Sequence, residues 1–263
     1  DIFSPTEVAD VLEGLLRNPA YSSFRNVLVL HADFVISPHF HFNPTHFTIL
    51  PFWELKRFAD VDFKYWIWKH RHYNRTQSAL ADISASVHPR LKQSASMVVT
   101  SWSDLYTIPR AAFPVWIKLA RIFGRHKVIN EVAAPMASVL SSVWHATSGD
   151  HVPLRIDTPS KIAGSCCSFL ADKRLTMVLN GASNVIAGHK LDLSDNNLVK
   201  RVIKAWESFN LTGAQPSERQ PKSNTLDDNN MNKVIYDTTF KELLADLKKN
   251  PPSSNFTIFV KKR

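Results

Sequence analysis

An acidic residue follows an apolar run near the start of the chain. The run is Asn26-Val-Leu-Val-Leu30, and His31, Ala32 and Asp33 come next. Because the run is apolar on both faces, it is typical of a strand inside a covered sheet, and open α/β sheets bind ligands at the carboxyl ends of such strands. A carboxylate there can hold Mg²⁺ or Mn²⁺, which neutralises a departing diphosphate. In the alternative interpretation, Asp33 caps a turn.

Two further acids stand where a carboxylate can act on a hydroxyl group. Asp104 ends the turn Ser101-Trp-Ser-Asp104 after a strand, and Glu131 opens a predicted helix after Asn130. Either carboxylate can orient or deprotonate an acceptor hydroxyl. In the alternative interpretation, Asp104 is a turn acid and Glu131 is a first-turn acid that the helix dipole stabilises. The residues alone leave both possibilities open.

A third pair of acids has the spacing of a cation site but not its setting. Asp60 and Asp62 form an Asp-x-Asp pair, in which a turn can bring two carboxylates onto one hard cation. No apolar strand precedes them, so we expect them to be solvated acids in a loop.

The segment 64–75 interleaves basic residues with aromatic ones. It predicts a helix that buries Trp66 in the core and leaves its bases in solvent. These bases are Lys69, Arg71 and Arg75. The alternative is a surface that stacks on nucleic-acid bases or on sugar rings.

The composition describes a basic globular protein. The 263 residues carry a net charge of +9 and are 44% hydrophobic, which is enough to bury a core. A basic surface attracts nucleic acid, lipid headgroups or any other phosphate-bearing ligand. No stretch approaches the roughly 18 consecutive apolar residues of a membrane-spanning helix. The seven glycines form no Gly-rich phosphate loop.

Helices and strands alternate over most of the chain. The predicted helices are 4–17, 65–83, 111–123, 131–144, 194–208 and 240–247. The predicted strands are 26–36, 47–50, 97–99 and 105–108, with a hairpin or strand at 175–187. This order predicts an α/β fold with a mainly parallel sheet flanked by helices and a helix-rich C-terminal part. A polar loop or linker at 213–233 separates a domain over 1–212 from a C-terminal helix and basic tail over 234–263.

The ordered set of segments resembles glycosyltransferase-like proteins of the nucleotide-diphospho-sugar transferase (GT-A-like) type. The matching segments are VLVLHADFVISP, which ends at Pro38, YWIWKHRHYNRTQSALADI at 65–83, TSWSDLYTIPRAAFPVWIKLARIFG at 100–124 and NEVAAPMASVL at 130–140. The resemblance covers residues 5–150, with a weaker echo at 188–190. His31 stands where such proteins have the first acid of a pair.

The resemblance implies a role for five residues. Asp33, His31 and His189 would bind the nucleotide-sugar, with Asp33 also holding Mn²⁺ or Mg²⁺, while Asp104 and Glu131 would be the catalytic residues. The implied partners are a nucleotide-sugar donor and a glycan or protein acceptor. The implied location is the secretory pathway, in the Golgi lumen.

A second class of protein suits the same composition. This class is a basic, helix-rich protein that binds nucleic acid or is of the viral capsid type and catalyses no reaction. Such a protein would also have the positive charge, the few glycines and the Lys-Lys-Arg tail. The two classes differ in space. A transferase gathers Asp33, Asp104 and Glu131 around one crevice, whereas a nucleic-acid-binding protein scatters them.

Overall fold

The structure is a computed structural model of the chain. It describes residues 4–31, 33–40, 42–50, 52–86, 91, 97–147, 156–157, 162–164, 169–181, 185–212, 233–235 and 256–261. The helices in these ranges are α1 (Pro5–Arg17), α2 (His70–Ser86), α3 (Phe113–Arg125), α4 (Asn130–Thr147), α5 (Asp172–Leu179) and α6 (Asn196–Thr212). The strands are β1 (Asn26–His31), β2 (Phe34–Ile36), β3 (Phe47–Ile49), β4 (Phe52–Arg57), β5 (Met97–Ser101), β6 (Leu105–Pro109), β7 (Ile156–Asp157), β8 (Ile162–Gly164), β9 (Ala187–His189), β10 (Lys233–Ile235) and β11 (Phe256–Lys261).

The strands form three sheets. The largest has the order β10-β11-β1-β6-β3-β7, a second has the order β2-β9-β8, and β4 pairs with β5. The predicted strand 26–36 therefore divides in two, because β1 belongs to the largest sheet and β2 to the second. Asp33 lies in the turn between them.

The prediction of a mainly parallel sheet is wrong. β6 runs antiparallel to both of its neighbours, β1 and β3, and the β2–β9 and β4–β5 pairs are antiparallel as well. Parallel pairing is confined to β1–β11, β10–β11, β3–β7 and β8–β9 among the described strands. An apolar run shows that both faces of a strand are covered, but it carries no information on direction. β6, for example, is buried along its whole length although it is antiparallel.

Helix α1 begins where its capping residues place it. The side chain of Ser4 accepts a hydrogen bond from the backbone of Glu7, and the Glu7 carboxylate accepts one from the backbone N–H of Ser4, which completes a capping box. The apolar face of α1 then packs against α3. Side chains of this main core include Val8, Leu12, Val29, Trp116, Leu119, Met136 and Leu140.

Three predicted elements differ in the structure. The expected loop before Lys64 contains β4, and α2 begins at His70 rather than at Tyr65. The expected hairpin or strand at 175–187 begins inside the helix α5, which ends at Leu179, and reaches β9 only at Ala187. Leu175, Val178 and Leu179 are buried on one face of α5, which is the spacing of a helix.

The C-terminal predictions are covered only in part. The predicted polar loop at 213–233 lies outside the described residues except for Lys233, which begins β10, and the predicted helix at 240–247 lies outside them entirely. Residues 256–261, near the end of the chain, form β11, which pairs with β1.

None of the helices in the described ranges combines the length and the apolar character needed to cross a lipid bilayer.

Candidate functional site

Asp33 lies at the centre of a buried cluster of polar side chains. Its Oδ1 atom accepts a short hydrogen bond from His31 Nδ1, and His189 Nε2 lies 3.3 Å from the same oxygen. On the other side of the carboxylate, Lys190 Nζ is 3.8 Å from Oδ2. Asp33, His31 and His189 are buried, whereas Lys190 is half-buried. We call these four residues the Asp33 cluster.

Strand pairing brings His189 to Asp33. Phe34 pairs with His189 between β2 and β9, and the backbone N–H of Leu191 donates to the Asp33 carbonyl at 2.7 Å. On the other edge of β9, His189 pairs with Gly164. Gly164 has a φ of 108°, and a Cβ atom at this position would lie 1.6 Å from the His189 carbonyl oxygen. Only glycine therefore fits this close approach.

The surroundings of Asp33 keep its carboxylate charged. Burial by itself raises the pKa of a carboxyl group, but hydrogen bonds from His189 and His31, together with their charge, hold the pKa of Asp33 well below its usual range. The outer ring nitrogens, His31 Nε2 and His189 Nδ1, are buried and have no hydrogen-bond partner within the described part of the chain. Buried polar atoms in native proteins normally have a hydrogen-bond partner, and a bound ligand is one possible partner.

Asp104 adjoins the cluster through the backbone. β6 pairs with β1 so that Leu105 lies opposite Leu30, and the backbone N–H of His31 donates to the Asp104 carbonyl at 2.7 Å. The Trp102 ring, two residues before Asp104, meets the edge of the His189 ring at a centroid distance of 5.8 Å. The turn that contains Asp104 therefore lies against the Asp33 cluster.

Glu131 is positioned by the first turn of α4 and is half-buried. Burial raises the pKa of this carboxyl group, and the nearby negative charge of Asp104 raises it further. A carboxylate with a raised pKa is a stronger proton acceptor than an ordinary surface glutamate.

The structure thus brings four of the five predicted site residues to one end of β1. His31, Asp33 and His189 are in direct contact, and Asp104 joins them through the backbone of His31. Glu131 is linked to this group only through the negative charge of Asp104, which raises its pKa. Lys190 was not among the predicted site residues, although it follows His189 directly in the sequence.

The Asp33 cluster does not fit a divalent cation. Oδ1 of Asp33 already faces two imidazole groups, and Oδ2 faces the ammonium group of Lys190. A metal ion bound to Oδ2 would therefore be repelled by the positive charge of Lys190. Within the described ranges, no set of three His, Cys, Asp or Glu side chains is arranged to hold a metal ion. Lys190 itself supplies the positive charge that a cation would otherwise bring.

Asp60 and Asp62 are exposed and stand apart from these contacts, as expected of solvated acids. Asp62 accepts a hydrogen bond from the backbone of Lys64 at 2.8 Å.

The prediction that Trp66 belongs to the core is wrong. Trp66 is 48% exposed, and the neighbouring Trp68 is the buried residue. The indole N–H of Trp68 donates to Glu54 Oε2 at 2.5 Å. Of the three predicted solvent-facing bases, Lys69 and Arg71 are exposed and Arg75 is half-buried.

No protein-family model, curated protein or solved structure matches this chain at a significant level.

Proposed function

We propose that the chain is a glycosyltransferase-like protein that transfers a sugar from a nucleotide-sugar donor to a hydroxyl acceptor at the carboxyl end of β1. One observation carries the proposal. The buried Asp33 faces the half-buried Lys190, and Asp104, whose carbonyl accepts a hydrogen bond from His31, raises the pKa of the half-buried Glu131 by its negative charge. Lys190 suits an anionic leaving group, and Glu131 suits a hydroxyl group that must lose its proton.

Lys190 is the donor-side group. Its side chain is 26% exposed, and its ammonium group lies 3.8 Å from Asp33 Oδ2. A nucleoside diphosphate gains negative charge as the sugar departs, so a fixed cation stabilises the departing group more than the bound donor. His189 contacts the rings of Phe34 and Trp102, and these contacts position it beside Asp33.

Glu131 is the acceptor-side group. In its ionised form the carboxylate accepts the proton of the acceptor hydroxyl while that oxygen bonds to the anomeric carbon of the sugar. The bond from the anomeric carbon to the phosphate oxygen breaks, and its electron pair leaves with the diphosphate. Asp104 favours this proton transfer because its negative charge raises the affinity of Glu131 for the proton.

The proposal is tested by titrating the protein with UDP and GDP in a calorimeter, without added metal. Release of nucleoside diphosphate from UDP-glucose and GDP-mannose is then measured with and without hydroxyl acceptors. We expect binding of at least one nucleoside diphosphate and acceptor-dependent release. If the protein binds neither nucleotide but binds RNA with a steep salt dependence, nucleic-acid binding without catalysis replaces the proposal.

A further inference from the structure

The segment before α2 presents an exposed aromatic surface. Phe63 is 48% exposed, Tyr65 41% and Trp66 48%, although large aromatic side chains are usually buried. Exposed basic residues alternate with them. We call the whole set the aromatic platform, and it consists of Phe63, Lys64, Tyr65, Trp66, Lys69 and Arg71.

The segment that carries the aromatic platform is anchored at two points. Buried Trp68 anchors it through the hydrogen bond to Glu54, and the backbone N–H of Trp68 donates to the Tyr65 carbonyl at 2.9 Å. The Phe63 ring packs against His70 and Tyr73 in the first turn of α2, at centroid distances of 5.7 Å and 4.8 Å. A surface that is already ordered loses little entropy when it binds a ligand.

Two contacts made by residues next to the aromatic platform limit its distance from the proposed acceptor-side acids. Glu54, the partner of Trp68, pairs with Thr100, and Asp104 follows four residues later. Four residues span about 14 Å at most. In addition, Arg75 donates to the carbonyl of Lys127 at 3.5 Å, and Glu131 follows four residues after Lys127.

We propose that the aromatic platform binds an acidic glycan, the acceptor whose hydroxyl group Glu131 would deprotonate; this inference rests on the proposed transferase function. Aromatic rings stack on the apolar faces of sugar rings, and an extended glycan can place one sugar on the platform and another at Glu131. The exposed ammonium and guanidinium groups of Lys64, Lys69 and Arg71 complement carboxylate or other anionic substituents on the glycan. Two exposed acids, Asp60 and Asp62, lie next to the platform in the sequence. The Asp62 carboxylate accepts a hydrogen bond from the backbone N–H of Lys64.

The test uses oligogalacturonate and its methyl ester, which present the same sugar rings with and without charge. Binding to the whole chain is measured by calorimetry for the wild type, Trp66→Ala, Phe63→Ala and Lys69→Gln. Leu16→Ala is the matched control, because Leu16 is 38% exposed on α1 and belongs to no part of the platform. Circular dichroism checks that each variant is folded.

We expect the wild type to prefer the charged oligosaccharide. Trp66→Ala and Phe63→Ala should each weaken its binding by about 10-fold, which corresponds to the loss of one stacking contact of about 1.4 kcal/mol. Lys69→Gln should weaken binding of the charged form and leave the ester unchanged, and Leu16→Ala should change neither.

Three results would overturn the inference. They are no binding of oligogalacturonate, equal binding of the acid and its ester, and stronger binding of poly(U) RNA that depends on Trp66. Titration of UDP and GDP on the same preparations keeps the two proposals apart. Loss of glycan binding with retained nucleotide binding defeats only the platform, whereas glycan binding without binding of either nucleotide defeats the transferase function.

Discussion

His189 Nε2 lies 3.3 Å from Asp33 Oδ1, so that the last residue of β9 holds the acid that follows β1. His31 contacts the same oxygen, and Lys190 faces the other one. Asp33 is therefore the common partner of the other three members of the Asp33 cluster, and its loss would leave two buried imidazole groups without their acceptor.

Replacement of Lys190 by alanine should weaken UDP binding by about 10-fold or more, the size of one lost charge-assisted hydrogen bond. It should also make UDP binding respond to Mn²⁺, because Oδ2 of Asp33 then faces no ammonium group. Calorimetry with and without Mn²⁺ measures both effects. Lys200→Ala is the control, since Lys200 is exposed on α6. Equal loss of binding in both variants would point to a general charge effect instead.

Glu131→Gln should lower the rate of sugar transfer by about 100-fold or more and leave the affinity for UDP unchanged. The amide keeps the size of the side chain but cannot accept the hydroxyl proton. Steady-state rates and calorimetry on the same protein separate the two quantities. A variant with the wild-type rate would remove Glu131 from the proposed mechanism.

The raised pKa of Glu131 also predicts how stability depends on pH. Below the ordinary glutamate pKa, Glu131 is protonated in both the folded and the unfolded state, so its raised pKa does not lower the free energy of unfolding. As the pH rises through the ordinary pKa towards the raised one, the unfolded state releases the proton first, and the folded state is destabilised. Glu131→Gln should therefore gain stability relative to the wild type at pH 7 but not at pH 4. Urea unfolding at the two pH values measures this, and an equal difference at both would contradict it.

Gly164→Ala should destabilise the protein by about 1–3 kcal/mol, because alanine is strained at positive φ and its Cβ would overlap the His189 carbonyl. The same displacement should move His189 away from Asp33 and weaken UDP binding. Gly14→Ala is the matched control, since a Cβ at Gly14 meets nothing within 4 Å. Thermal unfolding of both variants would show whether the close approach matters.

Trp68→Ala should destabilise the fold by about 3–5 kcal/mol, whereas Trp66→Ala should change stability by no more than about 0.5 kcal/mol. Trp68 is fully buried and donates to Glu54, while Trp66 is half exposed to solvent. Equilibrium unfolding in denaturant measures both. Similar losses for the two variants would mean that the platform is part of the core.

Local signals in the sequence predicted individual elements of the fold, although the predicted fold class was wrong. The Ser4–Glu7 capping box marks the start of α1, and the apolar run at 26–30 identifies β1, because both depend on neighbouring residues alone. Trp66 and Trp68 show where such reasoning fails. Helix α2 begins at His70, and Trp66–Trp68 form a short 3-10 turn before it. In this turn the side chain of Trp68 is buried and that of Trp66 is exposed.

Long-range pairing could not be predicted in the same way. The direction of β6 depends on which strands lie beside it, and its residues are buried whichever way it runs. Lys190 was missed for a similar reason. A lysine next to a histidine carries no signal by itself, and only the β2–β9 pairing brings it to Asp33.

The division of the apolar side chains into separate clusters has a consequence for synthesis on the ribosome. The buried members of the main core extend only from Val8 to Leu140, whereas the cluster around Leu175 and Val202 draws its members mostly from residues after 160. The earlier part of the nascent chain can therefore collapse first. Until β9 emerges, Asp33 has only His31 beside it, so a stalled or shortened product would carry a folded core and an unfinished site.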